Sequence, residues 1–239
     1  ALIFLFLFYS VVPLFQAAKV GTPTQFDVDY AVPRLYLSLD EYKEVGLQIS
    51  DDGSYQFFYT GSGHVIESNS LNSLSVMKMS SFAAGALTSN VVIVGSDDGR
   101  ADVFKANYAI SYPNDKRLVS PSLTRPLEGQ ELVVDQAGVA IRLITGQSIE
   151  DEVTVLGVSE NGSVNLVGAV RESSFLEDSG EWAIERSILP LDGTQISHLA
   201  MNIDQREAYV LFRDGTLELY DITDKTSPRL IDRVKVVDG

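Results

Sequence analysis

The residues of this chain that could do chemistry are few and far apart. Two histidines occur, His64 at the start of one strand-like run and His198 within another. Neither belongs to a metal-spaced pair or a His-Glu-x-x-His pattern, so both read as packing or surface residues. The pairs Asp51-Asp52 and Asp97-Asp98 and the run Glu150-Asp151-Glu152 offer carboxylate oxygens for calcium. An EF-hand loop alternates oxygen ligands across about twelve residues, a spacing these groups lack. Turn chemistry accounts for them better, because an aspartate before glycine bonds nearby backbone amides. Gly61-Ser62-Gly63 sets a serine between two glycines, but without the strand-to-helix elbow that would make it a nucleophile. The sequence has no Gly-x-x-x-x-Gly-Lys phosphate loop and no cysteine. Thiolate zinc sites, cysteine nucleophiles and disulfide frameworks are thereby excluded, while the redox compartment stays open. Trp182, beside Glu181 and close to Glu185, has two readings: an anchor for a protein partner, or packing at a sheet edge. No catalytic, cofactor-binding or metal-binding residue is assigned.

The elements that would position such residues announce themselves through tight turns. Gly61-Ser62-Gly63, Asp97-Asp98-Gly99-Arg100, Glu160-Asn161-Gly162-Ser163 and Arg213-Asp214-Gly215-Thr216 each separate two runs rich in β-branched and aromatic residues. Each reads as a two-stranded hairpin. Around the first, Val45 to Ile49, Tyr55 to Thr60 and His64 to Glu67 give three successive strands, with a further turn at Asp51-Asp52-Gly53. The last unit repeats the theme through Ile196 to Met201, Ala208 to Phe212, Leu217 to Ile222 and Arg229 to Val234. Between them lie the hairpins built on Asn90 to Gly95 with Ala101 to Phe104, and on Val153 to Val158 with Val164 to Val167. Trp182 to Arg186 is the expected outer strand of the third unit. Alternating strands such as Tyr55, Phe57 and Tyr59 should turn at least half of their aromatics, Phe82 included, toward a core. No stretch has a convincing helical period. The expectation is an all-β, propeller-like array of about four antiparallel four-stranded blades, roughly 40 to 45 residues each with insertions. Residues 112–131, with Pro113, Pro121 and Pro126, and the acidic stretch 172–181 are expected as rim loops. A β-sandwich made from the same hairpins is the structural alternative.

Charge narrows the partners. Thirty-three acidic against 18 basic residues give a net charge of −15, with the basic residues scattered. Nucleic acid is excluded as a partner, since phosphate backbones are held by clustered Lys and Arg. An anionic lipid surface is repelled as well.

Residues 2–15 are nearly pure hydrocarbon, with no charge before Lys19. As a helix at about 1.5 Å per residue they reach roughly 20 Å, short of the ~30 Å core of a bilayer. Residues 1–18 are therefore expected to be part of a transmembrane helix whose earlier turns precede Ala1. A buried strand and a signal-peptide remnant are the competing readings. Residues 19–43 are expected as a linker with a first outer strand, and residues 44–239 as the propeller-like domain.

The Gly-Ser-Asp-Asp-Gly-Arg hairpin of residues 95–100, followed by alternating apolar residues, resembles the blades of WD-repeat and quinoprotein-like propellers. The Gly-His and Trp-Asp signatures of that family are absent, with Tyr220-Asp221 standing where a Trp-Asp pair would. Four blades are few for a closed ring, so the array is expected to belong to a larger propeller. The order of parts, an apolar segment ending in Tyr9-Ser10-Val11-Val12-Pro13-Leu14-Phe15 and then a large acidic β domain, is similar to the enlarged phosphate-type ABC transporter permeases of some Gram-negative bacteria. The run from Tyr209 to Asp221 contributes to that likeness. In that family a propeller-like periplasmic insertion follows the first membrane helix. The resemblance implies a non-catalytic periplasmic domain at the inner membrane, needing no cofactor. Its partners would be proteins, the solute-binding protein or other transporter subunits, and it would be held to the membrane by its N-terminal segment. An acidic surface repels phosphate itself, which favours protein contact over anion capture. Two other functions stay open: a membrane-anchored propeller scaffold of envelope assembly, and a metal-dependent propeller hydrolase.

Overall fold

The computed structural model describes residues 32–71, 78–86, 88–171 and 181–236, with isolated positions 4, 6, 9, 11, 22, 23, 25 and 26. The expectations for the apolar start and for residues 172–180 fall outside the described residues. Among the described residues no helix is long and apolar enough to cross a membrane.

Alternation of apolar and polar residues between glycine turns folds into four antiparallel meanders. The first is β1 (Arg34–Leu39), β2 (Val45–Ser50), β3 (Ser54–Tyr59) and β4 (Val65–Ser70). The second is β5 (Met79–Ala84), β6 (Val91–Ser96), β7 (Arg100–Ser111) and β8 (Leu118–Thr124), with the short β9 (Leu132–Val133) pairing the start of β7. The third is β10 (Ile141–Ile149), β11 (Glu152–Ser159), β12 (Val164–Arg171) and β13 (Trp182–Leu189). The fourth is β14 (Ile196–Met201), β15 (Glu207–Phe212), β16 (Thr216–Asp221) and β17 (Arg229–Lys235). Apart from β9, the strands of each sheet pair in chain order, and none of the four sheets closes on itself. β10 lies against β5 and β6 on one side and β14 on the other, so the first strands of neighbouring meanders converge. Tyr36 of β1 and Phe82 of β5 bring the first two together, ring centroids 6.0 Å apart. This is a propeller-like array of blades, and the two-sheet sandwich is set aside.

Three apolar seams hold the blades together, each between consecutive blades. The turn between second and third strands sets their phase. Gly53, Gly99, Gly162 and Gly215 all adopt positive φ, between 79° and 87°, where a side chain is strained. The phase of the first blade is thus set by Asp51-Asp52-Gly53, and the Gly61 turn joins its third strand to its fourth. Counted from these glycines, the residues six and four before and two and four after point toward the following blade. They are Leu47, Ile49, Tyr55 and Phe57 in the first blade, and Leu156, Val158, Val164 and Leu166 in the third, none more than 3% exposed. In the second they are Ile93, Gly95, Ala101 and Val103, with Gly95 small enough to let Ile141 approach. The intervening residues point back: Val92, Val94 and Phe104 fill the first seam, Val155 and Val167 the second, Ala208, Val210 and Tyr220 the third. Burying each of the valine, leucine, isoleucine and phenylalanine side chains contributes about 1.5–3 kcal/mol against leaving it in water.

One expectation is corrected. Residues 112–131 are not a rim loop throughout, because they contain β8, the outermost strand of the second blade. Pro121 sits opposite Tyr108 on that edge. An edge strand needs only one row of hydrogen bonds, so a residue without an N–H is tolerated there.

Candidate protein-interaction surface

At the glycine-turn end the carboxylates are engaged by their own turns. Asp52 Oδ1 accepts from Ser54 N at 2.8 Å, and the hydrogen bonds from Ser54 hold its carboxyl below the usual range. Asp98 accepts from Arg100 Nε at 2.7 Å, a bond that does most to bring its pKa down to about 2. Arg100 also pairs with Glu131. Asn161 Oδ1 accepts from Ser163 N at 2.9 Å, and Asp214 Oδ1 from Thr216 N at 2.9 Å. The Thr216 amide, followed by Lys235, lowers Asp214 to about 2. Every one of these oxygens stabilises a reversal of the chain. Asp151 faces Arg171 at 3.8 Å and Glu152 faces Lys225 at 3.2 Å, so two of the three carboxylates of the third acidic run are partnered too. Among the described residues no three His, Cys, Asp or Glu side chains gather as a metal would need.

His64 lies exposed in the turn between β3 and β4, and His198 lies exposed on β14, in the first and fourth blades. Ser62 sits in the same turn as His64, its Oγ accepting from His64 N at 3.2 Å. Trp182 opens β13 and packs against the second seam, with the Arg171 guanidinium 5.0 Å from its ring centroid. Tyr55 and Phe57 are buried in the first seam, and Tyr59 and Phe82 pack against it.

The opposite end, where first strands turn into second strands, carries an open cleft of about 450 Å³ lined from all four blades. Tyr42 comes from the first blade, Asn90, Asn107 and Tyr108 from the second, Glu150 from the third and Ile203 from the fourth. Its floor is rigid. Asp40 accepts from the backbone amides of Tyr42 (3.0 Å), Glu44 (2.6 Å) and Val45 (2.7 Å), which fixes the β1–β2 turn. The β7–β8 hairpin folds over that turn: the Arg117 guanidinium stands 4.2 Å above the Tyr42 ring and pairs with Glu44. Asn107 Nδ2 donates to Thr124 Oγ1 at 2.7 Å. Burial pushes the Tyr108 phenol up to about 12, so it stays protonated at neutral pH. The lining therefore offers amide, phenol and apolar surface with the ammonium of Lys105 and the carboxylate of Glu150 at its rim. Such a surface suits the backbone and side chains of an inserted loop. Sequence reasoning did not single out Asn90, Asn107 or Tyr108, because they lie far apart in the chain and only the stacking of blades brings them to one opening. The positive φ of Asn90, 54°, is a local signal consistent with its place in a tight turn.

Two features of the scaffold also escaped the sequence. Asp102, fully buried between apolar neighbours on β7, pairs with Arg125 at 2.5 Å. Lys225, 4% exposed, donates to the carbonyls of Gln205 (2.6 Å) and Ile222 (3.0 Å) and reaches Glu152 of the third blade. Its aliphatic stem packs where a side chain on Gly168 would stand. The first pair ties β7 to the end of β8 within one blade, the second links the fourth blade to the third, and neither lines the cleft.

No family model matches the chain, and no curated protein resembles it in sequence. Among solved structures it is similar to the Cps50 (Swd1) beta-propeller domain of Myceliophteria thermophila, at 9% identity and a TM-score of 0.49, over 89% of this chain and 58% of that one. It is also similar to Raptor of Chaetomium thermophilum, at 15% identity and a TM-score of 0.45, over 89% of this chain and 16% of that one. The chain thus spans less than two thirds of either structure.

Proposed function

We propose that this chain is a non-catalytic, protein-docking domain, and that it serves as the periplasmic insertion of a phosphate-type ABC transporter permease, receiving a loop of the solute-binding protein or of another transporter subunit. The observation that carries the docking reading is the cleft assembled from four blades. Its polar groups are positioned by turns and hairpins. The transporter reading is supported by the order of an apolar segment at residues 2–15 and an acidic all-β domain behind it. The net charge of −15 favours a partner with a basic loop, since complementary charge speeds encounter.

The test separates the two levels. Ile203→Arg and Asn107→Trp fill the cleft from its rim without touching a seam. Both are expected to abolish co-purification of the solute-binding protein with the membrane-bound permease and to lower phosphate uptake several-fold. Uptake that is unchanged when residues 44–239 are deleted would end the transporter reading. Partner capture that survives both cleft variants would move docking away from this opening.

A further inference from the structure

The fourth blade repeats the seam-forming pattern on a face that no other blade covers among the described residues. Its residues six and four before and two and four after the turn glycine are Tyr209, Leu211, Leu217 and Leu219. The equivalent residues of the third blade are fully buried, whereas these four are only half-buried and belong to none of the three apolar clusters. Val234, paired with Leu217 across β16 and β17, adds a side chain 45% exposed to the same face. A sheet face of this composition is a seam surface.

The backbone repeats its crossover there as well. In the first three blades the carbonyl of the turn glycine accepts from the chain as it leaves that blade's outer strands: Gly53 from Leu71 at 2.8 Å, Gly99 from Asp135 at 2.8 Å, Gly162 from Gly193 at 3.1 Å. From each of those points the chain passes to the first strand of the next blade, β5, β10 or β14. In the fourth blade Gly215 accepts from Val236 at 2.9 Å. The first blade does not supply the complement. Where other blades point Val92 and Val94 or Ala208 and Val210 backward, the first points Gly46 and Gln48, and its Phe58 is already met edge-on by Phe26 at 6.0 Å.

We propose that the face formed by Tyr209, Leu211, Leu217 and Leu219 seats a fifth blade, formed by the stretch of the same polypeptide that follows Val236. That blade presents small or β-branched apolar residues in the register held by Ala208 and Val210 in the third seam. The absence of cysteine makes the test direct. Leu211→Cys is placed in the 239-residue chain and in the polypeptide continued along its natural sequence, and the rate of maleimide labelling is measured in each. Leu166→Cys, in the third seam, is the protected reference, and Ile188→Cys, 70% exposed, is the open one. In the 239-residue chain the thiol at 211 is expected to react like the open reference. In the longer polypeptide it is expected to react roughly a hundredfold more slowly, through local opening only. Equal rates in both would overturn the proposal. So would slow labelling in the 239-residue chain accompanied by the mass of two copies, which assigns the face to self-association. Leu217→Cys repeats the measurement should Leu211→Cys not fold.

Discussion

Two glycines that look alike in the sequence have different tasks. Gly61 has open space where a side chain would stand and no left-handed backbone, so alanine fits there. Gly99 has φ +83°, and a side chain would meet the carbonyl of Asp135 at 2.8 Å, a backbone atom that cannot step aside. Gly99→Ala is therefore expected to cost about 2 kcal/mol or more, from left-handed strain and the clash together. Gly61→Ala should stay within about 0.5 kcal/mol of the parent. Urea unfolding of the two variants measures both, and equal midpoints would show that Gly99 is under no such constraint. The Asp-Asp-Gly, Glu-Asn-Gly and Arg-Asp-Gly spellings were legible as turns because Asx chemistry is local. The pairs Asp102–Arg125 and Lys225–Glu152 were not, since an ion pair between residues distant in sequence leaves no local pattern.

At the scale of the strand and its seam, phenols make the first seam sensitive to alkali. Burial, aided by the hydrogen bond to Glu67, pushes Tyr55 up to about 12, and burial pushes Tyr108 to about 12. Phe57 packs edge-on against both, at 6.0 and 6.1 Å. A phenol whose folded pKa lies above its unfolded value of about 10 stabilises the fold fully below that pH, and the contribution is lost as pH rises toward 12. Phenolate absorbance and far-ultraviolet dichroism should therefore change together between about pH 10 and 12. Tyr55→Phe with Tyr108→Phe should move that transition upward. Ordinary titration of every tyrosine near 10 with the sheets intact would contradict the burial of this seam. Alternating strands such as β3 were legible from their period. β8 was hidden because Pro113, Pro121 and Pro126 mimic loop composition, and the edge position that excuses Pro121 is a tertiary fact. The cleft was hidden for the same reason, since no single blade contains it.

Across the whole molecule, blades that touch only their neighbours behave as a one-dimensional stack, whose stability is a sum of blade and seam contributions. β6 is buried along its entire length and β11 at every position after its first residue, and each lies in a blade flanked on both sides. Among the described residues the fourth blade meets another blade on one face only, and β17 is exposed throughout. Opening the fourth blade breaks one seam, whereas opening the third breaks two. Amide exchange should therefore be slowest in β6 and β11, faster in β15 and β16, and fastest in β17, giving a gradient along the chain rather than a single plateau. Every blade carries a net negative charge, so added salt should slow exchange throughout by screening self-repulsion, while the order set by the seams remains. Mass-resolved exchange at low and moderate salt reads both effects. A common rate for β11 and β16 would mean that the blades open as one cooperative unit, and the exposed fourth face would then carry no separate instability. A gradient erased by salt would instead trace the order to charge and not to seams.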